Sequence, residues 1–255
     1  MDLLHGVLLV AAGIAGGIMA AIVGGAAVIT FPALLAAGLP PVMATAANTA
    51  ALTPGLFLAA IYDRSQLPPF DRSFVAVALA SIVGALIGAM LLLLTPERVF
   101  SALVPLLLGF ATVLFAYAGR ISTWLAARAA TRGNVRRFTH SPAVVLPISI
   151  YGGYFGAGLG VLMLGVLSVG TGGNYRSANV TKNLVTGLNS ATATVIFAAQ
   201  GALSWPATLL MMAGTLVGGL IGARVAQVMP NHAARKLVVG VGALLTFGFA
   251  WRYWF

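Results

Sequence analysis

Apolar runs of about 20 residues recur along this chain, and backbone in such runs can be accommodated in few ways. A helix of roughly 20 apolar residues reaches across the hydrocarbon of a bilayer. Segments 48–61 with its flanks, 73–94 and 99–118 meet that condition in the first half of the chain, and 178–199, 206–228 and 237–255 meet it in the second. A large soluble core is excluded by the residues left over. Of the 255 residues 60% are hydrophobic and 7% are charged, against roughly a quarter charged in soluble domains, so a wettable surface cannot be assembled. Lipid tolerates only helices and closed barrels. Barrel strands alternate polar and apolar residues, and these runs do not alternate. The expected class is an all-α integral membrane protein.

Two stretches, 4–39 and 143–170, are too long for one crossing, and glycines interrupt each midway, at Gly24-Gly25 and from Gly156 to Gly160. The halves also repeat. Gly16, Gly17 and Gly24 match Gly152, Gly153 and Gly160 at a constant spacing of 136 residues, and Gly38 and Asn48 match Gly173 and Asn183 at 135. Internal duplication of this kind is common in secondary transporters. Residues 1–118 read as a first membrane repeat and 142–255 as a second.

Between them lies a polar segment, 119–141, with Arg120, Arg128, Arg132, Arg136 and Arg137 and no acidic residue. The positive-inside rule makes it a cytoplasmic linker. Counting crossings outward from that anchor, the basic turn around Arg235 and Lys236 falls on the same side only if each overlong stretch dips in and returns. Each repeat is then a Gly-rich broken or re-entrant hairpin plus three transmembrane helices, and an odd number of crossings inverts one repeat relative to the other. The N-terminus lacks the basic region of a cleaved leader and reads as the start of a membrane segment.

The net charge of +10, from 14 Lys and Arg against 4 Asp and Glu, needs no nucleic acid to explain it. Basic residues at cytoplasmic helix ends orient a membrane protein. The chain has no cysteine, which removes disulfides and thiolate metal sites. His5, His140 and His232 are too scattered for a metal centre, and no cofactor is expected. The acidic residues Asp2, Asp63, Asp71 and Glu97 all fall at segment ends, which argues against a carboxylate proton relay or a cation site. Nor is there a paired aspartate or a nucleophile with a base, so no enzyme is expected.

Lys182 is the most informative residue, because a lysine within an apolar segment is costly unless it is partnered or wetted. One reading is a snorkelling interfacial lysine. The other is an anion site, with Asn179, Asn183, Thr186 and Asn189 following at helical spacing as directional groups. Thr45, Asn48, Thr49 and Thr53 form a weaker counterpart in the first half. Buried Thr and Asn also serve simply as glue between helices. Gly24 and Gly25, with Gly158 and Gly160, permit close helix packing or broken helices whose N-termini present backbone donors to an anion. Arg176, beside Gly172-Gly173-Asn174, is placed to receive an anion at the cytoplasmic mouth or to anchor the interface.

These residues resemble the TauE/SafE family, which includes proteins linked to export of sulfite and other sulfur-containing anions. The first half is similar in Val23-Gly24-Gly25, Phe31-Pro32, Gly38 and Ala44-Thr45-Ala46, with Ile22 and Ala26 standing where family members carry further glycines. The second half is similar in Asn179-Val180-Thr181-Lys182-Asn183-Leu184, then Gly201, Trp205, Gly218-Gly219 and Gly222-Ala223-Arg224. The resemblance implies a duplicated helical exporter of organic or inorganic sulfur anions in a bacterial inner membrane. The expectation is alternating access around a mid-membrane anion held by Lys182 and oriented by Asn48, Asn179, Asn183 and backbone amides. A channel-like pore and a non-transporting scaffold are the rival readings. The oligomeric state stays open, a homodimer among the options.

Overall fold

The computed structural model describes residues 3–22, 24–131, 141–170, 174–225 and 231–254. Val23, Gly172, Gly173, Arg132, Arg136 and Arg137 lie outside them. Among the described residues there is no strand. The helices are α1 (Leu3–Ile22), α2 (Ala27–Ala36), α3 (Pro41–Tyr62), α4 (Arg72–Leu94), α5 (Glu97–Thr131), α6 (Pro142–Tyr154), α7 (Leu159–Gly170), α8 (Tyr175–Ala199), α9 (Trp205–Val225) and α10 (Asn231–Trp254), with a short 3-10 turn at Arg64–Gln66. Local chemistry sets several boundaries. Pro41 and Pro142 open α3 and α6, where a missing N–H costs nothing. Asp71 Oδ1 accepts from Phe74 N at 2.9 Å and Asn174 Oδ1 from Ser177 N at 3.1 Å, capping α4 and α8. At the end of α1, Gly24 has φ +83°, a conformation glycine adopts at no steric cost, and its N–H donates to Met19 O at 3.0 Å, five residues back.

Helices cover the described residues of all six expected spans, as α3, α4, α5, α8, α9 and α10, although α8 and α10 are not among those apolar enough by themselves to be read as crossings. Helices α1, α3, α4, α5 as far as Ile121, and α9 are long and apolar enough to cross a membrane. Two expectations need adjustment. Residues 119–131, read as part of a polar connection, continue α5 as helix; their Ala, Leu and Arg are strong helix formers. The two overlong stretches are also unequal. At 20 residues α1 is about 30 Å long, the full hydrocarbon thickness, whereas α2, α6 and α7 have 10, 13 and 12 residues. In the 136-residue register, the end of α6 at Tyr154 corresponds to Ile18, and α1 runs one turn further because nothing before Gly24 stops it. The chain nevertheless turns back, since His5, Leu8 and Ala12 of α1 line one recess with Ile29, Ala33 and Ala37.

Packing follows small residues rather than large apolar ones, as it must where lipid and side chains are equally apolar. The most extensive pairings are α1 with α9 and α4 with α6. In each, glycines let backbones touch. A Cβ on Gly214 would meet Val10 O, Gly13 Cα and Ile14 N; on Gly84 it would meet Leu146 O, Ser149 Cβ and Ile150 N, the corresponding residues 136 positions on. Gly218 lies against Ile14 and Gly88 against Ile150 in the same way. Replacing Gly88 or Gly218 with leucine is expected to cost at least the 1–3 kcal/mol typical of overpacking, about as much at either position. Thermal unfolding of the detergent-purified protein measures it, and a wild-type transition in either variant would contradict this packing.

Pairings recur with the halves exchanged: α9 with α3 and α4 with α8, α1 with α2 and α6 with α7, α5 with α7 and α10 with α2. Corresponding helices that meet each other run antiparallel. Along α3 and α8, Thr53 faces Thr194, Phe57 faces Gly187, and Asp63 pairs with Arg176. Along α5 and α10, Ala102, Gly109 and Thr112 meet Trp254, Thr246 and Gly242 in turn. The breaks themselves meet at the centre, where a Cβ on Gly24 would lie 2.7 Å from Gly160 Cα and one on Gly160 would lie 2.7 Å from Gly24 Cα.

Candidate functional site

Where the two breaks touch, the fold leaves a cavity of about 50 Å³. Its walls come from five helices: Ala20 of α1, Ala27 at the start of α2, Asn48 and Thr49 of α3, Leu159 and Gly160 at the start of α7, and Lys182, Thr186 and Ser190 of α8, with Gly24 and Gly156 from the breaks. Space of this size exceeds what one water needs. The first turns of α2 and α7 both abut it, and the leading N–H groups of a helix have no intrahelical partner. No side chain caps α2. Two positive helix ends therefore converge on the cavity.

Lys182 is completely buried. Its ammonium donates to Ala20 O at 3.0 Å. Among the described residues no carboxylate is buried. Asp63 is paired with Arg176 through two bonds of 2.6 and 2.7 Å, Asp71 caps α4, and Glu97 Oε1 accepts from Val42 N at 3.1 Å. The cation thus has the carbonyl end of α1 as a partial counter-charge and no full one. A charge held in that state is costly, and an anion arriving in the cavity relieves the cost.

The other wall groups differ in what they can offer. The Thr30 hydroxyl donates to Asn48 Oδ1 at 2.5 Å, so the acceptor of that amide faces α2 and its N–H donors are what remain for the cavity. Thr49 and Thr186 donate to Thr45 O and Lys182 O, four residues back, at 3.0 and 2.7 Å. Their protons are engaged, and they present lone pairs. Ser190 also lines the cavity. Sequence reasoning passed over Ser190, although its spacing of four from Thr186, itself four from Lys182, places it on the same helical face.

Other expected site residues lie elsewhere. A second cavity of about 490 Å³ lies at the Asp63 end of the helices, lined by Ala21, Asp63, Tyr175, Arg176, Asn179 and Asn183 among others. Asn179 and Asn183 belong to this vestibule rather than to the central cavity. Arg176 stands at its mouth, exposed and bound to Asp63. Asn189 bridges helices, its Nδ2 donating to Ser81 O of α4 and Ser149 O of α6, each at 3.1 Å. Thr45 donates to Pro41 O and touches neither cavity. Gly25 packs on Phe115 and Val238, and Gly158, at φ +85°, packs on Ala111 and Leu114. Beside the break at Gly156 the rings of three phenylalanines pack together, with Phe31 edge-on to Phe155 at 5.5 Å and Phe155 packed on Phe100 at 6.2 Å.

Residues 9–249 match the family described as Sulfite exporter TauE/SafE. Among curated proteins, the chain is 31% identical over 250 residues to a probable membrane transporter protein, ORF9, of Sinorhizobium sp., covering 93% of this chain and 89% of that one. It is 25% identical over 248 residues to the probable membrane transporter protein YfcA of Escherichia coli (96% and 88%). It is 24% identical over 227 residues to a probable membrane transporter protein of Haemophilus influenzae (89% and 87%). No solved structure matches.

Proposed function

The chain belongs to the sulfite exporter TauE/SafE family of membrane transporters, and from that premise we propose that it exports a small sulfur-containing oxyanion, such as sulfite or an organosulfonate, held in the central cavity. The observation that carries this reading is Lys182. A fully buried cation without a carboxylate, facing a cavity on which two helix N-termini converge, is the electrostatic inverse of an oxyanion. Lys182 supplies the charge, and Asn48 Nδ2, the Ser190 hydroxyl and the backbone N–H groups at Ala27 and Gly160 supply direction.

The antiparallel course of α3 against α8 and of α5 against α10 supports an inverted pair of halves, the architecture that permits alternating access. Orientation rests on charge. Arg64, Arg72, Arg176 and Arg224 cluster at the vestibule end, toward which α5 carries Arg120. The positive-inside rule makes this the cytoplasmic face of a bacterial inner membrane. The vestibule then faces the cytoplasm, an arrangement suited to loading from inside.

Export in this direction follows the membrane potential. Each net negative charge leaving an inside-negative cell gains about 2.3 kcal/mol per 100 mV, roughly a fiftyfold bias in the equilibrium ratio, with no coupled ion required. Proteoliposomes loaded with sulfite, sulfate or methanesulfonate, with a potential set by potassium and valinomycin, test this. Saturable efflux of a subset of these anions, accelerated by an inside-negative potential, is expected. A rate linear in concentration would indicate a pore, and no specific flux or binding would leave a scaffold.

A further inference from the structure

Three carbonyls end α1, and α8 grips all three in register. Tyr175 Oη donates to Ile22 O at 2.8 Å, Asn179 Nδ2 to Ala21 O at 3.1 Å, and Lys182 Nζ to Ala20 O at 3.0 Å. Donors spaced four and three along α8 fall on one helical face, and they meet consecutive carbonyls that a helix end leaves without intrahelical partners. We propose that this grip is the latch of a cytoplasmic gate, with Tyr175 and Asn179 as gating residues rather than anion ligands.

Two observations place the gate here. The wall between the two cavities is one residue thick: Ala20 and Lys182 line the central cavity, while Ala21 and Asn183 line the vestibule. The wall is also incompletely satisfied. Asn179 Oδ1 and Asn183 Oδ1 are buried in it with no hydrogen-bond partner among the described residues. A closed arrangement that orphans two acceptors is disfavoured relative to one that lets vestibule water reach them. Lys182 belongs to both devices, so an anion that draws the ammonium into the cavity takes one tooth from the latch. That link, and the name gate, rest on the central cavity being the anion site.

The chain has no cysteine, so single reporters can be introduced without background. Ser190→Cys places a thiol on the central cavity and Ala223→Cys one on the vestibule. Labelling with an uncharged, water-soluble maleimide, which adds to the thiol without releasing an anion, is followed in purified protein with no transported anion present. Combined with Tyr175→Phe and Asn179→Leu, the cavity reporter is expected to react at least tenfold faster, with the vestibule reporter unchanged. Tyr175→Phe alone removes one oxygen, preserves the fold, and should give a smaller acceleration of the same sign. An unchanged cavity reporter in both backgrounds, or equal acceleration of both reporters, overturns the gate. Because no anion enters the measurement, its failure is separate from failure of the transport reading, which shows as absent flux in the parent protein.

Discussion

Replacing Lys182 with methionine is expected to abolish anion flux while leaving the thermal stability of the purified protein unchanged or higher. The two halves of that expectation have different origins. An anion about 4 Å from the ammonium gains on the order of 4 kcal/mol at an effective dielectric of about 20, which corresponds to roughly a thousandfold in affinity. The same ammonium, with no anion present, is buried against a single carbonyl. Exchanging a poorly compensated charge for an apolar side chain of similar volume is commonly neutral or stabilising. Flux and unfolding temperature measured on the same preparation separate the alternatives. Retained flux removes Lys182 from binding; lost flux together with a large drop in unfolding temperature makes it a structural cap on α1.

The second large effect is steric. Gly24→Val places a β-branched residue at φ +83° and a Cβ 2.7 Å from Gly160 Cα. The left-handed conformation costs about 1–2 kcal/mol and overpacking about 1–3 kcal/mol, a serious fraction of the roughly 5–15 kcal/mol that holds a typical domain folded. Little monodisperse protein should be recovered by size exclusion, and what remains should unfold at a lower temperature. Gly160→Val meets the same neighbour without a left-handed backbone, so it should be the milder of the two. Equal effects would mean that the contact alone, and not the backbone conformation, sets the cost.

Much of this was legible before any coordinates. Lys182 stood out because a charge within an apolar run is expensive wherever the chain puts it, and the break at Gly24 stood out because glycine is the residue that tolerates it. What escaped was decided across the molecule. Asn179 reads the same whether it faces an anion or Ala21 O; the choice is made by a carbonyl 158 residues away. Asn189 looked like part of a binding stripe and instead joins α4 to α6, since a few tens of degrees around α8 separate a cavity wall from a helix interface. Ser190 was passed over because serine in a membrane helix usually bonds a neighbour, and only the packed structure places it on the cavity wall. The inequality of the hairpins was hidden because Ala20, Ala21 and Ile22 are as compatible with helix as with the approach to a turn.

That inequality bears on direction. In the 135-residue register, Tyr175, Asn179 and Lys182 correspond to Pro40, Ala44 and Ala47, none of which has a side-chain hydrogen to donate, and α6 stops a turn short of where its three carbonyls would be gripped. Were the halves identical, their two exchanged conformations would be related by a two-fold axis in the membrane plane and equal in energy, and the carrier would present the same face to either solution. On the proposed cycle, one conformation would have a clasp that the other lacks, and the degeneracy would be lifted. Asymmetry of this kind cannot alter the final gradient, which the driving force alone determines. It appears instead in kinetics, as a different half-saturating concentration on each side and a resting population gathered at one of them.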